Sequence, residues 1–248
     1  EMEKAIIREV EAGKTTQTPL MAGPSAVLSS PLAAGQREAS SLMLQSTDRF
    51  AAVQGYAGVG KTTQFNAVKT AIDTLPDAVR PVLIGLGPTH RAVKEMRSIG
   101  IDGQTMKSFL VDWQQRTAAG EQVSYANTLF LIDEASILGN QDTAEAMVAS
   151  AAGNGRAVMV GDVDQLESPE SGSPFRLLQE RSPIDVAVMR EIQRQLNDNL
   201  RGAVYNVTEN KAAAALEKVD RVSPGVGPRP TGTPTPPRST TALRPPDT

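Results

Sequence analysis

The stretch "GYAGVGKTTQF", Gly55 to Phe65, decides how the rest of the sequence is read. It matches the pattern G-x-x-x-x-G-K-[ST] at Gly55, Gly60, Lys61 and Thr62, with Gly58 and Thr63 in the same run. Glycines in such a loop let backbone N–H groups turn inward around phosphate oxygens, and a helix opening directly after it adds the positive end of its dipole. The lysine then reaches the β and γ phosphates of ATP, and the threonine hydroxyl ligates Mg²⁺. The flanks supply the context that such a match needs. "RFAAVQ" before the loop reads as a strand and "TTQFNAVKTAIDTL" after it as an amphipathic helix, whereas an ordinary glycine turn with an exposed lysine requires neither.

Outward from the loop the pattern repeats. Apolar runs in "PVLIGLG", "TLFLID" and "RAVMVGD" read as strands, and "GQREASSLMLQS", "THRAVKEMRS", "TMKSFLVDWQQR" and "TAEAMVASAA" read as helices. This alternation predicts an α/β fold with a parallel sheet covered by helices on both faces, over residues 35–182. Before it, Met2, Ile6, Ile7 and Val10 recur at helical spacing with Gly13 as a stop, and a Pro-, Ser-, Thr- and Gly-rich connector completes residues 1–34. After it, "IDVAVMREI" and the helices beyond are placed to open a second sheet, over 183–220. Residues 221–248 carry eight of the 17 prolines, four arginines and one acid, so they cannot build a core and are expected to be a disordered tail. No internal repeat is visible.

Composition sets the outer limits. With 25 basic residues against 28 acidic ones, no global positive field recruits nucleic acid, and DNA binding has to rely on a local strip of groups. The absence of cysteine excludes disulfides, thiol catalysis and cysteine-based zinc sites. No apolar stretch approaches the ~20 residues of a membrane-spanning helix, and "EMEKAIIREV" lacks the apolar core of a signal peptide. A cytoplasmic location without membrane insertion is the expectation. The immediate helix after Glu1 reads as the sign of a chain cut from something longer.

Two further strand ends carry polar chemistry. "LFLIDEAS" ends in Asp133, suited to hold a metal, and Glu134, suited to orient or deprotonate an attacking water. Two acids after a strand also serve to cap a helix, but beside a phosphate loop the pair argues for hydrolysis over transfer to a small molecule. "VGDVDQL" ends a strand in Gly161 and Asp162 with Gln165 beyond, where a side-chain amide is able to sense a γ-phosphate; taken alone it says little.

Together "VQGYAGVGKTTQF", "LGPTHRAV", "NTLFLIDEAS", "GDVDQL" and "EIQRQ" resemble the RecD-like branch of superfamily one DNA helicases, and closely the motor region of TraI-type relaxase-helicases of F-like conjugative plasmids. The resemblance spans nearly everything but the tail. It implies a RecA-like P-loop NTPase lobe, followed by the start of a second lobe, with ATP and Mg²⁺ as cofactors. It further implies that Gln36 reads adenine, that Lys61, Thr62 and Asp133 hold phosphates and Mg²⁺, and that Glu134 is the catalytic carboxylate. Gln165 becomes the sensor, and Arg194 the arginine that completes the site from the second lobe. Thr89, His90 and Thr105 fall where the family touches the backbone of single-stranded DNA. Lys107 stands where relatives often have histidine, a change compatible with phosphate contact.

Outside that resemblance His90 is a polar loop residue and Arg194 a surface arginine. Phe109 and Trp113, four apart, read as core and not as base-stacking platforms. The chain departs from the family after Gln165, where Glu167, Pro169 and Glu170 put carboxylates near an expected phosphate track. It also lacks relaxase chemistry, because a single histidine cannot form the required metal cluster. The leading expectation is an ATP-binding motor lobe, weakly active or inactive alone, with single-stranded DNA and conjugation (relaxosome) proteins as partners. The rival is a single-stranded DNA or relaxosome binding module without productive ATPase, against which the intact Lys61, Asp133 and Glu134 argue. A P-loop kinase lacks a visible acceptor site and leaves "GDVDQL" unexplained.

Overall fold

In a computed structural model of the chain, six parallel strands form one sheet in the order β3-β2-β4-β5-β1-β6. The structure describes residues 1–23, 32–56, 58–165 and 172–190. Arg194, Glu167, Pro169, Glu170, the helices expected after 190 and the Pro-rich tail lie outside them. The strands are β1 (Phe50–Gly55), β2 (Val82–Gly87), β3 (Asp102–Thr105), β4 (Thr128–Ile132), β5 (Arg156–Gly161) and β6 (Asp185–Met189). The helices are α1 (Met2–Gly13), α2 (Ala34–Gln45), α3 (Lys61–Asp73), α4 (His90–Ser98), α5 (Met106–Ala118), α6 (Asn140–Ala152) and α7 (Pro174–Arg181), with a 3₁₀ turn at Ala135–Ile137. Among the described residues no helix is long and apolar enough to cross a membrane.

Side-chain alternation splits each central strand between two cores. Phe50 and Ala52, Phe130 and Ile132, and Ala157 and Met159 face a layer built from α1, α5, α6 and α7. Ala51 and Val53, Leu129 and Leu131, and Val158 and Val160 face one built from α2, α3 and α4. Burial on both faces is why β1, β4 and β5 read as unbroken apolar runs. Phe109 packs with Phe130 and Tyr125 at ring-centroid distances of 5.2 and 5.8 Å, and Trp113 lies partly buried against the same cluster. Both are core, as their spacing suggests.

Three readings are corrected. β6 does not open a second sheet: it pairs with β1 from Ala51↔Asp185 to Gly55↔Met189, because Ala187 and Met189 are buried with α2 and α3 in the second core. The boundary expected at 183 therefore falls inside this sheet. β3, "DGQT", and α7 are elements beyond those the pattern predicts: β3 is an edge strand paired to β2 alone and has no apolar period to betray it. Finally, α1 belongs to the sheet's first layer and is no separate appendage. Ile6 and Val10 are fully buried, and a Cβ at Gly13 would come within 2.9 Å of Arg49 Cβ, so the helix ends where it meets β1. Ile6→Ala is expected to cost about 2–4 kcal/mol of stability, read by chemical denaturation. A change below about 0.5 kcal/mol, the range of ordinary surface substitutions, would mean that α1 is detached.

Candidate nucleotide-binding site

Ligands of open parallel sheets sit outside the carboxyl ends of the strands, and here those ends gather the predicted residues. Gly58 and Gly60 hold φ of 81° and 79°, a left-handed backbone that other residues enter only with strain. Gly60 is the N-cap of α3 and carries no side-chain cap, so the first N–H groups of that 13-residue helix face outward. Gly55 serves a different purpose. A Cβ there would lie 3.0 Å from Lys61 Cε and 2.9 Å from Met189 Cε, so any larger residue would displace the end of the Lys61 side chain, which crosses over Gly55.

Opposite the loop, β4 ends and Asp133 follows, its N–H donating to Leu86 O of β2 at 2.8 Å. Burial pushes the Asp133 carboxyl above the usual carboxylate range, while the Lys61 ammonium and an N–H bond from Glu134 pull it down. That bond, Glu134 N to Asp133 Oδ1, is 2.9 Å. Glu134 itself adopts φ 53°, ψ 35°, a left-handed conformation that costs a non-glycine residue about 1–2 kcal/mol. The turn aims its carboxylate back toward β2, where Thr89 Oγ1 donates to Oε2 at 3.2 Å.

These groups enclose a cleft of about 170 Å³. Gly58, Gly60, Lys61, Thr62, Asp133, Glu134 and Gln165 all border it, so the structure brings together most of the residues expected at the nucleotide. Thr63 is exposed on α3 and does not border it. Gln36 lies behind the loop, 3% exposed, with its amide engaged at both ends: Nε2 donates to Val59 O at 2.9 Å and Gly60 O at 3.2 Å, and Oε1 accepts from Ala33 N–H at 3.0 Å. In this arrangement it braces the phosphate loop and offers nothing to a base.

The expected DNA residues sit along one sheet edge. Thr89 follows β2 and caps α4, accepting from Ala92 N–H at 3.1 Å; Thr105 ends β3 and caps α5, accepting from Ser108 N–H at 3.2 Å. Gly87 and Thr105 are register partners, which makes the two ends neighbours. His90 is exposed at the start of α4, and Lys107 is 82% exposed, 3.7 Å from Asp142. Sequence reasoning missed Arg91 and Glu95, which border the cleft from α4 and pair with each other at 3.3 Å, and also Tyr56. Arg91 and Glu95 reach it because β2 lies beside β4, a fact of topology that no local pattern carries.

A family model described as an AAA domain matches residues 31–223. This chain belongs to that AAA domain family. The chain is 50% identical over 241 residues, 97% of its length, to the multifunctional conjugation protein TraI of Escherichia coli (strain K12), of which it spans 14%. It is 31% identical over 169 residues, 68% of its length, to the conjugal transfer protein TraA of Agrobacterium fabrum, again spanning 14% of that protein. The crystal structure of Pif1 helicase from Candida albicans aligns with 71% of the chain at 18% identity and a TM-score of 0.49, over 44% of that structure. The AAA domain match and the six-stranded parallel sheet agree with the α/β, RecA-like fold expected from the motifs, and the resemblance to TraI-type proteins holds over nearly the whole chain.

Proposed function

We propose that this AAA domain is the ATP-binding lobe of a DNA helicase motor which, within a longer parent, couples ATP hydrolysis to translocation on single-stranded DNA in conjugative transfer. The carrying observation is the convergence of Lys61, Thr62, Asp133 and Glu134 on one cleft beneath an uncapped helix N-terminus. Likeness to a multifunctional conjugation protein supports the setting.

The residues present fit a nucleoside triphosphate with Mg²⁺. Outward N–H groups and the Lys61 ammonium suit phosphate oxygens, and the Thr62 hydroxyl with the Asp133 carboxylate offers the hard oxygen donors that Mg²⁺ takes. Mg²⁺, when bound, would withdraw charge from the phosphates. Lys61 neutralises phosphate charge and opposes the pull of burial on the Asp133 carboxyl. Glu134, oriented by Thr89, accepts the proton of an attacking water, and Gln165 faces the same space as the γ-phosphate sensor. A module that holds DNA without using ATP has no need of a buried Asp133 or of strain at Glu134, so the geometry favours the motor.

The DNA half of the proposal has its own test. Thr89, His90, Thr105 and Lys107 present a single backbone-facing strip, so binding to a labelled single strand is expected to be weak and indifferent to sequence. Lys107 is the one Lys or Arg among the four, and one neutralised phosphate gives a slope of log K against log salt of about −0.7. Lys107→Glu should weaken binding and flatten that slope; binding unaffected by Lys107→Glu would remove this strip from the DNA path.

A further inference from the structure

Gln54 is a buried amide that the phosphate loop does not explain. It sits in β1 one residue before Gly55, 4% exposed, after the apolar run Phe50, Ala51, Ala52 and Val53. Packing between β5 and β6 asks only for an apolar side chain there, and a buried amide needs partners. It has three. Gln54 Nε2 donates to Asp162 Oδ1 at 3.0 Å, and Oε1 accepts from Val163 N–H at 3.2 Å and from Gln179 Nε2 of α7 at 3.4 Å.

Asp162, also 4% exposed, is the hub of the loop that follows β5. Its Oδ1 takes a second bond from Asp164 N–H at 3.1 Å, and its Oδ2 takes one from Gln165 Nε2 at 3.4 Å. Gln165 in turn borders the nucleotide cleft. A continuous polar chain therefore links the strand that launches the phosphate loop to a side chain on the opposite wall of the cleft. The bond from Gln165 is the longest of those on the Asp162 carboxylate, and an anionic phosphate oxygen is a better acceptor at shorter range. It is the bond to be exchanged, while Oδ1 stays anchored.

We propose that Gln54 is a positioning residue: by fixing Asp162 Oδ1 it sets the carboxylate on which Gln165 rests, and so presents Gln165 to the γ-phosphate of a nucleoside triphosphate. This rests on the reading of the cleft as an ATP site. Without Gln54 the Asp162 Oδ1 keeps only the bond from Asp164 N–H, within its own loop, and the loop loses its registration to β1. The phosphate-loop cradle is untouched, so a diphosphate binds as before.

The test is equilibrium binding of fluorescent ADP and of a fluorescent non-hydrolysable ATP analogue to the wild type, Gln165→Ala, Gln54→Leu and the double variant. Gln165 is expected to contribute about tenfold to the wild type's preference for the triphosphate, the worth of one hydrogen bond to a charged group. The preference should fall by about that factor in each single variant and no further in the double, because both side chains act through one contact. ADP affinity stays within about twofold throughout. Should Gln54→Leu fail to fold, as judged by its melting curve, Gln54→Asn, an amide one methylene short of Asp162, carries the same prediction. A wild-type preference retained in the Gln54 variant, or in Gln165→Ala, or a double variant additive in its loss, overturns the inference while leaving the ATP site standing. No binding of either nucleotide by the wild type overturns both.

Discussion

Glu134→Gln is expected to lower ATP turnover by about two orders of magnitude or more while nucleotide affinity stays within about threefold, because a positioned general base contributes typically 10²–10⁴. The amide matches the carboxylate in shape and still offers an oxygen to Thr89 Oγ1, which now lies 3.2 Å from Glu134 Oε2. The backbone bond from Glu134 N to Asp133 Oδ1 is unaffected by the side chain, so the Asp133 carboxylate keeps its place. What is lost is the proton acceptor alone. The measurement is phosphate release with protein in excess over ATP, sensitive enough for a slow wild type; an arginine from a second lobe is worth about 10³–10⁵ in rate where one is supplied. A Glu134→Gln chain that turns over at the wild-type rate would place the base elsewhere.

The second large effect is on binding. Lys61 crosses the loop over Gly55 and opposes the burial that raises Asp133. Lys61→Ala removes charge-assisted bonds to phosphate worth about 1.5–3 kcal/mol, so affinity for Mg²⁺-ATP should fall by roughly 10- to 150-fold. It also deprives Asp133 of the cation that favours its ionised form, which weakens the site further at neutral pH. Fluorescence anisotropy of a labelled nucleotide reads the change. Equal affinity in the two proteins would show that the loop does not hold the phosphates.

Where a feature is carried by consecutive residues, the sequence shows it. The phosphate loop and the Asp133–Glu134 pair are such features, and so are β1, β4 and β5, whose two buried faces make them unbroken apolar runs. β3 escapes because "DGQT" at an edge buries little and alternates nothing. The wider site escapes for a different reason. Arg91 and Glu95 border the cleft because β2 lies beside β4, Thr89 meets Glu134 across those same strands, and Gln54 meets Asp162 across β1 and β5. Each of these is a contact between strand ends distant in sequence. Gln36 shows the opposite case. The resemblance implies adenine recognition, yet here its amide is engaged by Ala33, Val59 and Gly60.

The claim beneath all of this is that the cleft between Lys61 and Asp133 is an ATP site, and thermal melting with a non-hydrolysable Mg²⁺-ATP analogue tests it most directly. At about a hundred times the dissociation constant the ligand adds ~2.7 kcal/mol, which in a domain of roughly 200 residues raises the melting temperature by about 5 to 10 °C. The account predicts that shift in the wild type and a shift cut to about half or less in Lys61→Ala at the same concentration. An unchanged melting temperature in the wild type at millimolar nucleotide would contradict it.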